Sequence, residues 1–303
     1  MAVRIRIAGY QDEQSVHTRA VRIMIASLRS KAGSQVSVDF TPDISRQGRK
    51  VSDLLDLVKS GELDLCYFSS TYLTGRVSAL GAFDVPFPVT DRNDVRSRLR
   101  RDLGAILQRE TAARTEYEVL AFWDNGVRNL SNGVREVHTP SDCAGMKIRT
   151  TPNATYHALF RALGMQPLTI DVGDMVRAIA AGEVDAQENP LTNIQLFGLQ
   201  KYHRFVTMTG HFHGIALVLG NANVLARWPE PVRFALRAAI AEASAAQWDF
   251  AAADERSSRA ELTAQGVSIV ELRPEDRAAF KDKAGPVIAQ CLAALPPQVS
   301  RLL

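Results

Sequence analysis

The sequence predicts an α/β protein of two domains, and three observations carry that prediction. Strand-like and helix-like segments alternate from the first residues onward, which is typical of a parallel sheet covered by helices. The length of 303 residues exceeds the usual size of one domain. An alanine-rich segment with no further Pro or Gly runs from Pro231 to about Gln265. It predicts one helix roughly 50 Å long, which is long enough to lie across both domains.

The N-terminal segments have the order strand, helix, strand, helix, strand. In the helical segments, apolar residues recur every three or four positions, and Gly33 and Gly61 are plausible stop signals. Right-handed crossovers between the strands would make the sheet doubly wound. The predicted elements are Val3–Ala8, Val16–Ala32, Val36–Phe40, Val51–Val58 and Leu63–Phe68.

The middle of the chain predicts a second cycle of strands and helices. A helix over Asp94–Ala112 precedes two strands, Tyr117–Trp123 and Gly126–Ser131, and the Asn125-Gly126 pair between them is a turn signal. The later segments are strand Met146–Thr150, helices Ala154–Leu163 and Val172–Ala181, and strands Val184–Gln187, Phe205–Thr209 and Ile215–Leu219.

These elements predict a division of the chain into domains. Residues 1–125 plus 213–250 form the first α/β domain, and residues 126–212 form the second. Residues 231–303 supply the long spanning helix and C-terminal helical segments that pack on both domains.

Composition excludes several classes of protein. The net charge is only +3 and the basic residues are dispersed, so a nucleic-acid partner is not expected. No stretch approaches 18 consecutive apolar residues, so no membrane span is expected. Cys66, Cys143 and Cys291 lie far apart and give no disulfide framework. The start, Met1–Ile7, is a charged β-like alternation rather than a signal peptide, and composition leaves the compartment open.

No motif of catalysis or cofactor binding is present. There is no nucleophile elbow, phosphate-binding loop, dinucleotide fingerprint or zinc-protease motif. His211 and His213 would face the same way on a strand, but no third metal ligand lies nearby in sequence. Asp84, Asp171 and Asp174 lie near loops without a recognisable acid/base spacing. We therefore expect no enzyme, no cofactor and no metal site.

Three polar residues lie where a ligand would bind in an α/β sheet. Arg149 closes a predicted strand, Asn189 follows another, and Arg128 lies in the strand after the first βα unit. Sites in open α/β sheets form beyond the carboxyl ends of strands. A guanidinium matches a carboxylate with two parallel hydrogen bonds, and Asn donates to a carboxylate or hydroxyl. The alternatives are a surface charge or structural ion pair for either arginine, and a helix N-cap for Asn189.

Three motifs resemble those of the substrate-binding subunits of TRAP transporters, the DctP type. Ala181–Pro190 is close to the G-x-x-D-G-Q-E-N-P of that family, with Ala186 where Gly is usual. Thr139–Arg149 resembles its T-P-x-D-x-x-G-x-K-I-R, and Gly126–Asn132 is the third match. Weaker matches occur in the same order along essentially the whole chain, at Gly61–Asp64, Asp84–Phe87 and Tyr202–His211.

The resemblance implies a periplasmic-binding-protein-like fold, with two α/β domains, a long helix spanning both, and a cleft that closes on the ligand. It implies that Arg149 pairs with the substrate carboxylate and that Arg128 and Asn189 support it. It also implies a periplasmic location and delivery of a small organic acid to TRAP membrane permease subunits. Five further positions fall where members of the family vary to select the rest of the ligand: Tyr10, Ser69, Tyr72, Ile170 and His213.

The sequence is compatible with several ligands and with other functions. Tyrosines and a histidine favour a sugar acid, a hydroxy acid or an aromatic acid. A C4-dicarboxylate would need a second cation, for which Arg49 or Lys50 is available. The other functions are an organic-acid-binding sensor component and a cytoplasmic α/β enzyme acting on a carboxylate, although an enzyme would need a base or metal that the sequence does not show.

Overall fold

The computed structural model describes residues 2–88 and 91–303 and has a mixed α/β fold. Its strands are β1 (Val3–Ala8), β2 (Val36–Thr41), β3 (Leu65–Ser69), β4 (Tyr117–Asn132), β5 (Lys147–Thr150), β6 (Gln166–Thr169), β7 (Ala186–Asn189), β8 (Phe205–Asn221) and β9 (Ser268–Val270). Its α-helices are α1 (Val16–Ala32), α2 (Asp53–Ser60), α3 (Arg92–Arg100), α4 (Asp102–Arg114), α5 (Ala154–Ala162), α6 (Val172–Ala180), α7 (Leu191–Leu196), α8 (Ala222–Ala226), α9 (Glu230–Ala264), α10 (Pro274–Ala294) and α11 (Pro297–Ser300).

The chain forms two compact units. Unit 1 consists of Met1–Ser69, Gly104–Asp124 and Ile215–Ala253, and unit 2 consists of Ser70–Leu103, Asn125–Gly214 and Asp254–Leu303. Each unit is therefore built from three separate stretches of sequence, and β4, β8, α4 and α9 contribute residues to both. The domain boundaries drawn from the sequence stay a prediction.

Unit 1 contains a sheet in which β1 lies between β2 and β3. β1 is parallel to both neighbours, with Val3 opposite Val36 and Ile7 opposite Leu65. β3 continues the sheet to the last part of β8 in antiparallel register. Ser15 begins α1 by accepting a 2.9 Å hydrogen bond from the Thr18 amide. The apolar stripe of that helix is buried, as the sequence pattern requires.

Unit 2 contains a second run of strands in the order β4, β7, β5, β6. β5 is parallel to β6 and β7, whereas β4 is antiparallel to β7. Two apolar clusters stabilise this unit. One includes Ile148 of β5, Tyr156 of α5 and Phe280 of α10, and the other includes Met175 of α6 and Ile194 of α7. Helices thus bury apolar surface in the unit that holds the predicted arginines.

The sequence locates the first elements well and misreads one turn. β1 and α1 have the bounds predicted from periodicity. The turn predicted at Asn125-Gly126 is wrong, because β4 runs unbroken from Tyr117 to Asn132. Gly126 has a φ of 78°, and a Cβ there would lie 2.8 Å from Cβ of Pro190. Glycine is thus required by a local bend and a close neighbour, not by a chain reversal.

Other differences concern the number of strands and helices. The two return strands predicted from the sequence are one strand, β8, which passes through Gly210 with a φ of 54°. The helix predicted over Asp94–Ala112 is two helices, α3 and α4, because Arg101 leaves helical geometry. Strand β6 is not predicted from the sequence. It is short and largely exposed, and it contains Pro167, a residue type that is tolerated at a sheet edge.

The long helix is present as predicted. α9 has 35 residues, which corresponds to roughly 52 Å at 1.5 Å per residue. Its residues 230–253 belong to unit 1 and its residues 254–264 to unit 2. Among the helices of the described residues, none has a stretch apolar and long enough to cross a bilayer.

Candidate functional site

Strand register in unit 2 gathers the three polar residues that the sequence singles out. β5 and β7 are parallel, and Arg149 pairs with Gln187, two residues before Asn189. β4 runs the opposite way, so its residue Asn129 pairs with Asn189 and Arg128 lies next to that pair. The carboxyl ends of β5 and β7 and the middle of β4 therefore meet at one edge of the sheet. This is where ligands bind in open α/β sheets.

Arg128 forms a buried ion pair with Glu188. Its Nε donates to Oε2 of Glu188, and its Nη2 donates to Oε1 of the same residue at 3.0 Å. Nη2 also reaches the Glu188 carbonyl at 2.7 Å and Oδ1 of Asn189 at 3.2 Å. Both side chains are nearly inaccessible to solvent. The charge of Arg128 is therefore balanced within the protein. This is the structural ion pair that was the alternative to ligand binding for this arginine.

Glu188 is ionised at neutral pH despite its burial. Burial alone would raise the pKa of this carboxyl. The positive charge of Arg128 and the hydrogen bonds from His211 and Arg128 outweigh burial and lower the pKa of Glu188 to about 2. The hydroxyl of Thr150 donates a further bond to Oε1 at 3.2 Å. Burial lowers the pKa of His211, so this histidine is the neutral member of the cluster.

Asn189 is held by its neighbours on β4, β7 and α7. Its Nδ2 donates to Oε1 of Gln187 at 2.5 Å, and its Oδ1 accepts from Arg128 and from Nδ2 of Asn193 at 3.3 Å. Gln187 in turn donates to the hydroxyl of Ser131 at 2.6 Å. Asn189 is thus fixed in orientation beside Arg128 by side-chain hydrogen bonds from three elements.

Arg149 differs from Arg128 because no carboxylate among the described residues forms an ion pair with it. Its side chain is 1% exposed, and its Nε donates to the carbonyl oxygen of Ile170 at 2.9 Å. The hydroxyl of Tyr72 is also hydrogen-bonded to it. Within residues 2–88 and 91–303, Nη2 of Arg149 is buried and has no hydrogen-bond partner. A buried cationic donor without an acceptor is costly, so this geometry is suited to an anion supplied by a ligand.

Tyr72 connects the two arginines electrostatically. Burial raises the pKa of its hydroxyl, and the charges of Arg149 and Arg128 act in the opposite direction. The negative charge of Asp171 adds to the increase in pKa, which places that carboxylate within electrostatic range of Tyr72. Oδ1 of Asp171 also accepts a 2.9 Å hydrogen bond from the Gly173 amide and so caps α6.

The other predicted residues, Tyr10, Ser69 and His213, are described within their own units. Tyr10 and Ser69 belong to unit 1, where the Tyr10 ring packs edge-on against Phe68 at 5.5 Å. His213 is buried in unit 2 and lines a largely apolar cavity of about 520 Å³, together with residues such as Phe83 and Leu292. None of the arginines near Tyr72 lines that cavity. The roles of these three residues stay predictions.

Sequence reasoning missed the acidic members of the site. It assigned no role to Glu188, although this residue lies inside the quoted motif, and none to Asp171. A signal for Glu188 was available, because an acidic residue within a short buried strand is rarely buried unless a base pairs with it. A third acid, Asp84, is hydrogen-bonded to Asn153 at 2.7 Å and to Thr74 at 2.8 Å. Burial raises the pKa of Asp84 to about 6.

The described part of the chain contains no group of three or more His, Cys, Asp or Glu side chains arranged to hold a metal ion. The candidate site instead contains an ion pair, Arg128 with Glu188, and an arginine, Arg149, that has no carboxylate partner among the described residues.

Comparisons with known proteins identify the family of the chain. The family model described as bacterial extracellular solute-binding protein, family 7 (DctP), matches residues 7–294. The 2,3-diketo-L-gulonate-binding periplasmic protein YiaO of Escherichia coli K12 is 25% identical over 297 residues, covering 97% of this chain and 89% of the relative.

Solved structures of similar proteins share the fold over the full chain. The sugar acid binding protein DctPAm of Advenella mimigardefordensis, in complex with galactonate, has a TM-score of 0.94 at 20% identity, covering 99% of this chain and 96% of that one. A TRAP periplasmic solute-binding protein of Sulfurospirillum deleyianum with bound succinate has a TM-score of 0.92 at 22% identity, covering 99% and 98%. With the family model matching nearly all of its length, this chain belongs to the DctP family, the bacterial extracellular solute-binding proteins of family 7.

Proposed function

We propose that this chain is the substrate-binding subunit of a TRAP transporter and captures a small organic acid by its carboxylate. The observation that carries the proposal is Arg149, a buried guanidinium with an unused Nη2 donor and no carboxylate partner in the described residues. A carboxylate can accept two parallel hydrogen bonds from a guanidinium, which gives both strength and orientation.

The surrounding residues would hold Arg149 in place for this role. The Ile170 carbonyl fixes Nε, and the Tyr72 hydroxyl supports the same side chain. Arg128 and Asn189, fixed by Glu188, would support the bound carboxylate from the neighbouring strands. Tyr10, Ser69 and His213 are proposed to select the rest of the ligand, as the family resemblance implies.

The ligands named for the relatives support a carboxylate. They are a diketo sugar acid, galactonate and succinate. We propose a sugar acid, a hydroxy acid or an aromatic acid for this chain. Binding would expel water from the surroundings of Arg149 and so strengthen its ion pair with the ligand.

The closed, loaded protein would then deliver the acid to the membrane permease subunits of the transporter. This step and a periplasmic location rest on membership of the family, whose members include periplasmic binding proteins. We propose no catalytic role, because the family consists of solute-binding proteins.

Thermal unfolding against a panel of organic acids tests the proposal. A ligand at about 100 times its Kd adds about 2.7 kcal/mol of stability, which for a protein of this size raises Tm by roughly 5 °C. We expect such a shift with one class of acid in the wild type and its loss in Arg149→Ala. Arg161→Ala is the matched control, since Arg161 is an exposed arginine of α5 in the same unit.

The control variant should shift as the wild type does. Equal shifts in Arg149→Ala and the wild type would contradict the role of Arg149 and would mean that another residue binds the carboxylate. Absence of a shift with every acid of the panel would count against carboxylate capture itself.

A further inference from the structure

An acidic residue, Asp171, lies next to the contact between Ile170 and Arg149 in unit 2. Asp171 directly follows Ile170, whose carbonyl oxygen accepts the Nε of Arg149 at 2.9 Å. Register places this segment beside Arg149, because Thr150 of β5 pairs with Thr169 of β6, two residues before Asp171. The negative charge of Asp171 acts on Tyr72, whose hydroxyl is bonded to Arg149. Asp171 is therefore an acidic neighbour of the proposed carboxylate subsite.

Of the two arginines whose charges act on Tyr72, one has no carboxylate partner among the described residues. The charge of Arg128 is taken by Glu188, at 4% and 0% side-chain exposure. Arg149 has no ion-pair partner in the described residues and would take the first carboxylate of a ligand. A second carboxylate near Tyr72 would meet Asp171, with both arginines already occupied. Like charges brought together at a binding site are strongly unfavourable, and such repulsion is a common source of specificity.

We propose that Asp171 is a specificity-determining residue that restricts the ligand to acids with a single carboxylate and neutral polar groups beyond it. The proposal rests on capture of a carboxylate by Arg149. Hydroxyl groups suit this surrounding, because a carboxylate and a tyrosine hydroxyl both accept hydrogen bonds from them. Dicarboxylates of the same length are discriminated against by Asp171.

Calorimetric titration of matched acids tests the proposal. The probes are gluconate and glucarate, which have the same six-carbon skeleton, and 2-hydroxybutanoate and malate, which have four carbons. For whichever of these two pairs binds, we expect the wild type to bind the monocarboxylate at least about tenfold more tightly than the dicarboxylate. In Asp171→Asn the ratio of the two affinities should narrow by about tenfold, because the dicarboxylate carries two negative charges and gains more affinity than the monocarboxylate does.

Two features of the chain allow the effect of the Asp171 charge to be separated from effects on folding. Asn is as good a helix N-cap as Asp, so Asp171→Asn retains the start of α6. Asp174→Asn is the matched control, since Asp174 lies in the same first turn but is 49% exposed and paired with Arg177. The control should leave the ratio of the two affinities unchanged, and a midpoint of thermal unfolding equal to that of the control verifies that Asp171→Asn is folded.

An unchanged ratio in Asp171→Asn, or a wild type that prefers the dicarboxylate, would overturn the proposal. A dicarboxylate that is preferred by the wild type and lost in Arg149→Ala would leave capture by Arg149 intact and reject only the role of Asp171. Failure of all four acids to bind to the wild type would count against carboxylate capture together with the selectivity built on it.

Discussion

At the scale of single residues, the two arginines of the site differ in what balances their charge. Arg128 and Arg149 are both buried and both lie on strands of unit 2. Arg128 is held by Glu188, whereas Arg149 is held by neutral oxygens of Ile170 and Tyr72. The first arrangement neutralises a charge inside the protein, and we propose that the second leaves a charge for the carboxylate of a ligand. The same residue type would thus serve structure in one strand and recognition in the next.

Loss of the Glu188 carboxylate should be strongly destabilising. Glu188→Gln leaves Arg128 buried without its counterion, and breaking a buried pair in this way costs about 3–5 kcal/mol. Urea unfolding measures the change in the free energy of unfolding. Glu183→Gln is the control, because Glu183 is 49% exposed and its removal should change stability by less than about 0.5 kcal/mol. A Glu188→Gln protein as stable as the control would show that Arg128 does not depend on this carboxylate.

At the scale of elements, strand β4 is where local sequence signals fail. The Asn125-Gly126 pair is a strong local signal for a turn, yet the strand continues. The reason is tertiary, since Gly126 provides space for Pro190 and accepts a positive φ. By contrast, β1 and α1 follow from periodicity because their apolar residues face a single core.

Substitution of Gly126 tests this explanation of β4. In Gly126→Ala the new methyl group would approach Cβ of Pro190 at 2.8 Å, in addition to adopting a positive φ. In Gly145→Ala the φ is similar, at 80°, but nothing lies within 4 Å of the new methyl group. We expect Gly126→Ala to lower the free energy of unfolding by about 1–3 kcal/mol more than Gly145→Ala does. Equal losses in the two variants would mean that contact with Pro190 is not what requires glycine.

Part of the candidate site could be predicted from the sequence. Strand ends in an α/β pattern point to Arg149 and Asn189, because that rule depends only on the order of elements. The partner of Arg128 and the acidic neighbour of Tyr72 could not be read from that order. Pairing of Arg128 with Glu188 depends on the antiparallel register of β4 against β7, and the proximity of Asp171 depends on the unpredicted strand β6.

At the scale of the whole molecule, two compact units are assembled from interleaved stretches of one chain. Four elements of the described residues, β4, β8, α4 and α9, supply residues to both units, so neither unit is a continuous piece of sequence. The cluster around Arg149, by contrast, is built from unit 2 alone. Its contacts with Ile170 and Tyr72 can therefore be tested by substitutions within one unit, with ligand affinity as the readout for the whole protein.

The most direct test of the central claim is calorimetric titration of Arg149→Lys with the acid that gives the largest thermal shift in the wild type. Lysine retains the charge but not the planar pair of donors, so affinity should fall by about 30-fold to several thousand-fold, corresponding to about 2–5 kcal/mol. An affinity within about threefold of the wild type would show that a guanidinium at this position does not capture the carboxylate.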